Sequence, residues 1–168
     1  KREFILLNEN LNVSENIKKK YRYAIQRRSK KEPVAYIAGK KEFWSIDFTI
    51  NNSVLIPRPE TELLVHKIVE IFRNKKINIL DIGIGSGCIL FSILKELNFS
   101  RGTGIDISRK AIQLAKNNAK KLGLCNRTSL KVAKINNFCF GKYDLIVSNP
   151  PYIPTRDIKK LSPEITLY

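Results

Sequence analysis

The chain has 168 residues, 43 % of them hydrophobic, and a formal charge of +16 from 31 lysines and arginines against 15 aspartates and glutamates. That is room for about one domain of ordinary size. Its longest apolar stretches, such as Cys88 to Leu94, fall well short of the roughly 18 residues a membrane span needs, and no charged-then-apolar leader opens it.

Cys88, Cys125 and Cys139 lie far apart without a C-x-x-C spacing, and His66 is the single histidine. The pattern argues against a zinc site and against a disulfide framework, so reduced thiols in a cytoplasmic protein and no metal are expected. The positive charge is spread over residues 18–22, 27–31, 73–76 and 116–121. It suits an acidic partner, nucleic acid or an acidic protein surface, and it equally suits a lysine-rich composition carried on every exposed face. A monomer is expected. The chain begins at Lys1 and contains no methionine, which predicts a piece of a longer translation product.

Residues 1–32 read as helical. Ile17, Tyr21, Ala24 and Ile25 recur at helical spacing, and Ser14 is placed to cap the start. Pro33 ends that pattern. Residues 33–57 read as a β-hairpin connector: Trp44, Ile46, Phe48 and Ile50 alternate with polar residues, Asn51–Asn52 makes the turn, and Val54 to Ile56 return. From Arg58 the sequence RPETELLVHKIVEIF predicts a helix with proline near its start and acids in its first turn.

After Lys76 strands and helices alternate: INILDI, a helix through CILFSILKEL, GTGIDI, SRKAIQLAKNNAKKLG, TSLKVA and YDLIVS. Ser108 is a plausible cap for the second of these helices, and Gly123 stands past its end. The alternation implies an α/β domain over 58–168 with a doubly wound, Rossmann-like parallel sheet. The chain accounts for its first four strands, preceded by the hairpin and the short helical segment.

The stretch DIGIGSG, Asp81 to Gly87, sits where the first of these strands meets its helix, and its glycines let the backbone turn tightly and approach a ligand. It is not the dinucleotide fingerprint, because Cys88 stands where the third glycine would be. Asp106, at the end of the next strand, follows the loop by about 20 residues, the offset at which a carboxylate reaches a ribose hydroxyl pair. Its competing role is to help start the helix at Ser108. Asp81 is read as positioning the loop. An acid-lined cleft also suits a cation such as the sulfonium of S-adenosyl-L-methionine.

The fourth strand ends in SNPPY, Ser148 to Tyr152. Pro150 and Pro151 lack an N–H and fix φ, so the loop presents carbonyl oxygens in a set layout. Asn149 Oδ1 and the Pro150 carbonyl can each accept one hydrogen of a planar –NH₂ group, and Tyr152 can cover its flat face. Such an acceptor is a poor nucleophile, and holding it in line with a methyl donor is the main available lever.

Residues 33–65, with DIGIGSG and SNPPYI, resemble the peptide chain release factor glutamine methyltransferases, the HemK or PrmC family; LIPRPETE is the most specific part. The resemblance implies a methyltransferase sheet, S-adenosyl-L-methionine as cofactor, and methylation of the glutamine side-chain nitrogen in the Gly-Gly-Gln motif of class 1 release factors. It implies cofactor contacts at Gly83, Ile84, Gly85, Ser86, Gly87, Asp106 and Asn149, and substrate contacts at Asn149, Pro150, Pro151 and Tyr152. Of these Asn149, Pro150 and Tyr152 are the expected catalytic group. Arg58 to Glu62 would lie near the methionine end of the cofactor or simply begin a helix.

Three departures from the family pattern stand out. VAKINNF, Val132 to Phe138, replaces an acidic-aromatic pair on the adenine side, near Lys134. The helical domain with which the family grips the release factor would be reduced to residues 1–32. The chain also stops at SPEITLY, before the strands that complete such a sheet, so the fourth strand is expected to be covered by further chain or a neighbour. Two other readings remain open: an amino-methyltransferase acting on adenine or cytosine of nucleic acid, which the charge would suit, and an inactive cofactor-binding remnant.

Overall fold

The computed structural model describes residues 2–8, 11–138 and 141–150. Three helices open the chain, α1 (Arg2–Leu7), α2 (Glu15–Ser29) and α3 (Val34–Ala38). The spacing that predicts α2 does produce a helix, but none of its residues is buried, and Ile17, Tyr21 and Ile25 are each more than half exposed. Ser14 stands at its N-cap, yet its side chain makes no capping hydrogen bond. An ion pair between Arg27 and Glu32 secures the other end, and the hydrogen bond from the Arg27 guanidinium holds the Glu32 carboxyl below its ordinary range. Helix α2 ends before Pro33, at Ser29, with Lys30 as its C-cap and Lys31 at φ 67°; Pro33 stands at the N-cap of α3.

The hairpin forms, with a different turn from the expected one. Strands β1 (Lys40–Phe43) and β2 (Ile46–Thr49) pair antiparallel with Phe43 opposite Ile46, so the loop is Trp44–Ser45 rather than Asn51–Asn52, and Val54 to Ile56 is not a strand. Both loop residues have positive φ, 54° and 55°, the backbone of a type I′ turn that matches strand twist. Trp-Ser lacks the Asn-Gly chemistry by which such a turn is read from sequence. Tertiary contacts hold it instead. The Trp44 amide donates to Glu62 Oε1 at 2.8 Å, and its indole Nε1 donates to Glu96 Oε1 at 2.8 Å. Beneath the turn, buried Phe43 and Phe48 meet edge to face with centroids 6.3 Å apart.

After a 3₁₀ turn at Pro59–Thr61, helix α4 (Glu62–Phe72) packs its buried Val65 and Ile68 inward. The α/β unit follows as β3 (Asn78–Ile82), α5 (Cys88–Glu96), β4 (Arg101–Asp106), α6 (Arg109–Lys121), β5 (Thr128–Val132) and β6 (Leu145–Ser148). Ser108 caps α6, its side chain accepting from the Ala111 amide. Helix α5 is buried from Ile89 through Leu94, which explains why that run is apolar on every side except at Ser92. Each such Ile, Leu or Phe contributes about 1.5–3 kcal/mol by leaving water. The hairpin residues Phe43, Phe48 and Ile50 join the same core as α5, α6 and β3.

The four strands are parallel in the order β5-β4-β3-β6. From β3 the chain moves outward through β4 and β5, then returns to the other side of β3 to lay down β6. A reversal of this kind leaves a crevice outside the carboxyl ends of the two strands at the switch, here β3 and β6.

Candidate active site at the carboxyl ends of the strands

The register brings the sequence-derived candidates into one row. Ile82 pairs with Ser148 on one side and with Ile105 on the other, and Asp106 pairs with Val132. One residue further along, Asn149, Gly83, Asp106 and Val132 therefore stand side by side across β6, β3, β4 and β5. At about 4.8 Å per strand the row is some 14 Å long. Asn149 is half-buried and Pro150 exposed. The Ser148 hydroxyl donates to the Ile82 carbonyl at 2.9 Å, fastening the start of this loop to β3. Pro151 and Tyr152 lie outside the described residues.

The glycine loop rises from the middle of the row. The amides of Gly83 and Ile84 both donate to the Ile105 carbonyl, at 2.9 and 3.0 Å. Residues 84–87 then close a β-turn in which the Gly87 amide donates to the Ile84 carbonyl at 2.9 Å. Gly85, at the first central position, has φ 54°, as a type II′ turn requires of that residue. Gly87 is glycine for two reasons: its φ is 84°, and a Cβ there would lie 2.1 Å from the ring of buried Phe91. Helix α5 begins directly afterward, so the positive end of its dipole lies toward the crevice, while the Leu90 amide of its first turn donates to Asp81.

Two carboxylates lie beside this loop. Asp106 Oδ2 accepts from the Gly85 amide at 3.1 Å and Oδ1 from the Ser108 amide at 2.9 Å. Asp106 thus does tie β4 to the start of α6, and it anchors the glycine loop as well. A carboxylate has about four lone-pair sites, so the same group retains acceptor capacity for hydroxyls at the crevice. Asp81 is 1 % exposed, and its Oδ2 has no partner among the described residues. Burial pushes its carboxyl up to about 7; a hydrogen bond from the Leu90 amide opposes the rise and the charge of Asp106 adds to it. Burial likewise pushes the Cys88 thiol up to about 12, which disfavours the thiolate.

The segment 58–62 serves the start of α4: Glu62 accepts from the Trp44 amide. Arg58 and Pro59 also line a cleft of about 590 Å³ with Tyr36, Lys41 and Val54, and Val54 borders Gly85. On the far side of the row, Ala133 donates its amide to the Asp106 carbonyl at 3.0 Å, so the backbone before Lys134 stays beside β4.

Asn118, on α6, is the site-adjacent residue that sequence reasoning missed. It is 1 % exposed and bonds both β2 and the Ser86 carbonyl. A signal was present: it falls on the face of Ala111, Leu114 and Ala115, where every other residue is apolar.

Comparison with known proteins gives two family matches. Residues 73–164 match the family described as methyltransferase domain, and residues 1–39 match the PrmC N-terminal domain. A protein named release factor glutamine methyltransferase from Bradyrhizobium diazoefficiens is 44 % identical over 83 % of this chain and 48 % of its own length. Proteins of the same name from Caulobacter vibrioides and Buchnera aphidicola subsp. Schizaphis graminum are 41 % and 40 % identical, over 86 % and 96 % of this chain and 50 % and 58 % of theirs. The chain spans about half the length of these curated relatives. Among the described residues no helix is long and apolar enough to cross a membrane. A parallel sheet with a glycine loop over β3 and an acid at the end of β4, together with a match covering more than half its residues, shows that the chain belongs to the methyltransferase-domain family.

Proposed function

We propose that the protein from which this chain comes transfers a methyl group from S-adenosyl-L-methionine to the side-chain amide nitrogen of the glutamine in the Gly-Gly-Gln motif of class 1 release factors. The observation that carries this reading is the row itself: Asn149 stands next to Gly83 and two strands from Asp106. The relatives' names supply the substrate class. A release factor works in translation, so the reaction belongs in the cytoplasm. Residues 1–32 and the connector 33–57 would meet the protein substrate, and 58–168 would carry the transfer.

The residues present fit the cofactor. The positive end of the α5 dipole suits its carboxylate. Asp106 has acceptor capacity left for ribose hydroxyls, and the acids beside the loop favour a cationic centre. When bound, S-adenosyl-L-methionine supplies an electrophilic methyl on a sulfonium. Gly83, Ile84, Gly85, Ser86 and Gly87 would hold its methionine end and Asp106 its ribose, with the adenine lying toward Val132 and Lys134. Asn149 Oδ1 and the Pro150 carbonyl would each accept a hydrogen of the glutamine –NH₂ and aim its nitrogen at the methyl, while Pro151 and Tyr152 would hold the flat amide. Holding the nucleophile in line is worth several kcal/mol, at most about 7–11. No base is needed before transfer, because the proton can leave afterward. An acceptor without N–H would leave both oxygens without the hydrogens they are placed to take and be disfavoured.

The +16 charge favours one other reading, amino-methylation of nucleic acid. Incubation with labelled S-adenosyl-L-methionine and either a release factor or DNA and RNA separates the two: label on the release factor supports the proposal, and label on nucleic acid alone overturns it. In the same assay Asn149→Ala should lower turnover about 100-fold or more while changing cofactor affinity by less than about threefold. Near-normal turnover would remove the orienting role of Asn149.

A further inference from the structure

Asn118 lies in the core, where a polar side chain is costly unless its hydrogen-bonding groups are answered. Its Oδ1 accepts from the Thr49 amide at 3.0 Å. Its Nδ2 donates to the Thr49 carbonyl at 3.0 Å and to the Ser86 carbonyl at 2.9 Å. Both amide hydrogens are thus used, and the amide has only one orientation that satisfies all three partners. One side chain on α6 therefore joins the end of the hairpin to the backbone of the glycine loop.

The atom it grips on the loop decides what this can do. Ser86 O belongs to the peptide between Ser86 and Gly87, and the other end of that peptide, the Gly87 amide, donates across the turn to Ile84 O. The peptide is held at both ends, with its oxygen directed into the core toward Asn118. Turning it over would break both bonds and set the Ser86 oxygen against the Ile84 carbonyl across the turn. The glycine loop would then lose the shape in which its backbone can approach a ligand.

We propose that Asn118 is a positioning residue for cofactor binding: it holds the Ser86–Gly87 peptide in the orientation that closes the glycine turn, and it couples occupancy of the glycine loop to the hairpin through Thr49. The inference rests on the S-adenosyl-L-methionine reading above and adds a residue that reading does not contain. Lys121 supplies a built-in control. Its Nζ donates to the Asp47 carbonyl at 3.0 Å, joining the same helix to the same strand without touching the loop.

The test is calorimetric titration of S-adenosyl-L-methionine into the unchanged chain, Asn118→Asp and Lys121→Ala, with circular dichroism to confirm folding. Asn118→Asp keeps the shape and the acceptor for Thr49 but sets an oxygen against two carbonyls. It should bind about tenfold more weakly or worse, with Lys121→Ala within about twofold of the unchanged chain. Should Asn118→Asp fail to fold, amide hydrogen exchange on the unchanged chain decides the matter. Saturation with S-adenosyl-L-methionine should slow exchange at Thr49 about fivefold or more beyond the slowing at other core amides, such as Ile93, because ligand binding slows every amide that exchanges by global unfolding. Equal affinities, or Thr49 exchange slowed no more than at those amides, overturn the inference alone. An unchanged chain that binds no S-adenosyl-L-methionine overturns the cofactor reading and this inference with it.

Discussion

Asp81 shows how one buried group makes stability depend on pH. Its ordinary carboxyl titrates near 3.8, and in the folded chain burial raises that to about 7. The folded state therefore keeps a proton that the unfolded chain releases. The stability this provides is complete below about pH 4 and is lost as pH rises through 7. Asp81→Asn removes the titration, so the variant should gain on the unchanged chain between pH 5 and pH 8, by an amount on the order of 1–3 kcal/mol. Urea denaturation at the two pH values measures it, and a difference that is flat with pH would show that Asp81 stays ionised in the fold.

At the scale of the element, the hairpin turn carries a strain that its surroundings sustain. Ser45 has φ 55° without being glycine, a conformation that costs an ordinary residue roughly 1–2 kcal/mol. Ser45→Gly should raise stability by about 0.5–1 kcal/mol after the entropic cost of glycine, seen as a higher urea midpoint at unchanged slope; a lower midpoint would mean that the serine does more than turn the chain. The same turn marks the boundary of what could be read in advance. Helix α6 was legible because its signals are local, down to the Ser108 hydroxyl accepting from Ala111. The Trp44–Ser45 turn was not, because it depends on Glu62 and Glu96, distant in the chain. The site divides in the same way. Glycine spacing and the offset to Asp106 are local enough to read, whereas Asn118 meets partners 32 and 69 residues away and is silent until the chain is folded.

Over the whole molecule, strong positive charge and an apolar sheet edge act against each other. Strand β6 is hydrogen-bonded to β3 on one side; on the other, no strand joins it among the described residues, and Ile146 is 59 % exposed. Such an edge invites pairing with another chain, and a charge of +16 opposes close approach. Salt screens that repulsion, with a Debye length of about 8 Å at physiological strength. Light scattering should therefore show self-association that grows with salt, and Ile146→Lys should suppress it. A mass that does not change with salt in the unchanged chain would show that this edge is already protected.

The place of β6 beside β3, rather than beside the strand that precedes it, bears on the order in which the molecule is made. The glycine loop, Asp106 and the clamp from Asn118 all come from the first 132 residues and can assemble as soon as β5 has been synthesised. The asparagine that would receive the substrate reaches its neighbours only when later chain has doubled back across the sheet. A nascent polypeptide would thus acquire the pocket for the donor before it had anywhere to seat the acceptor.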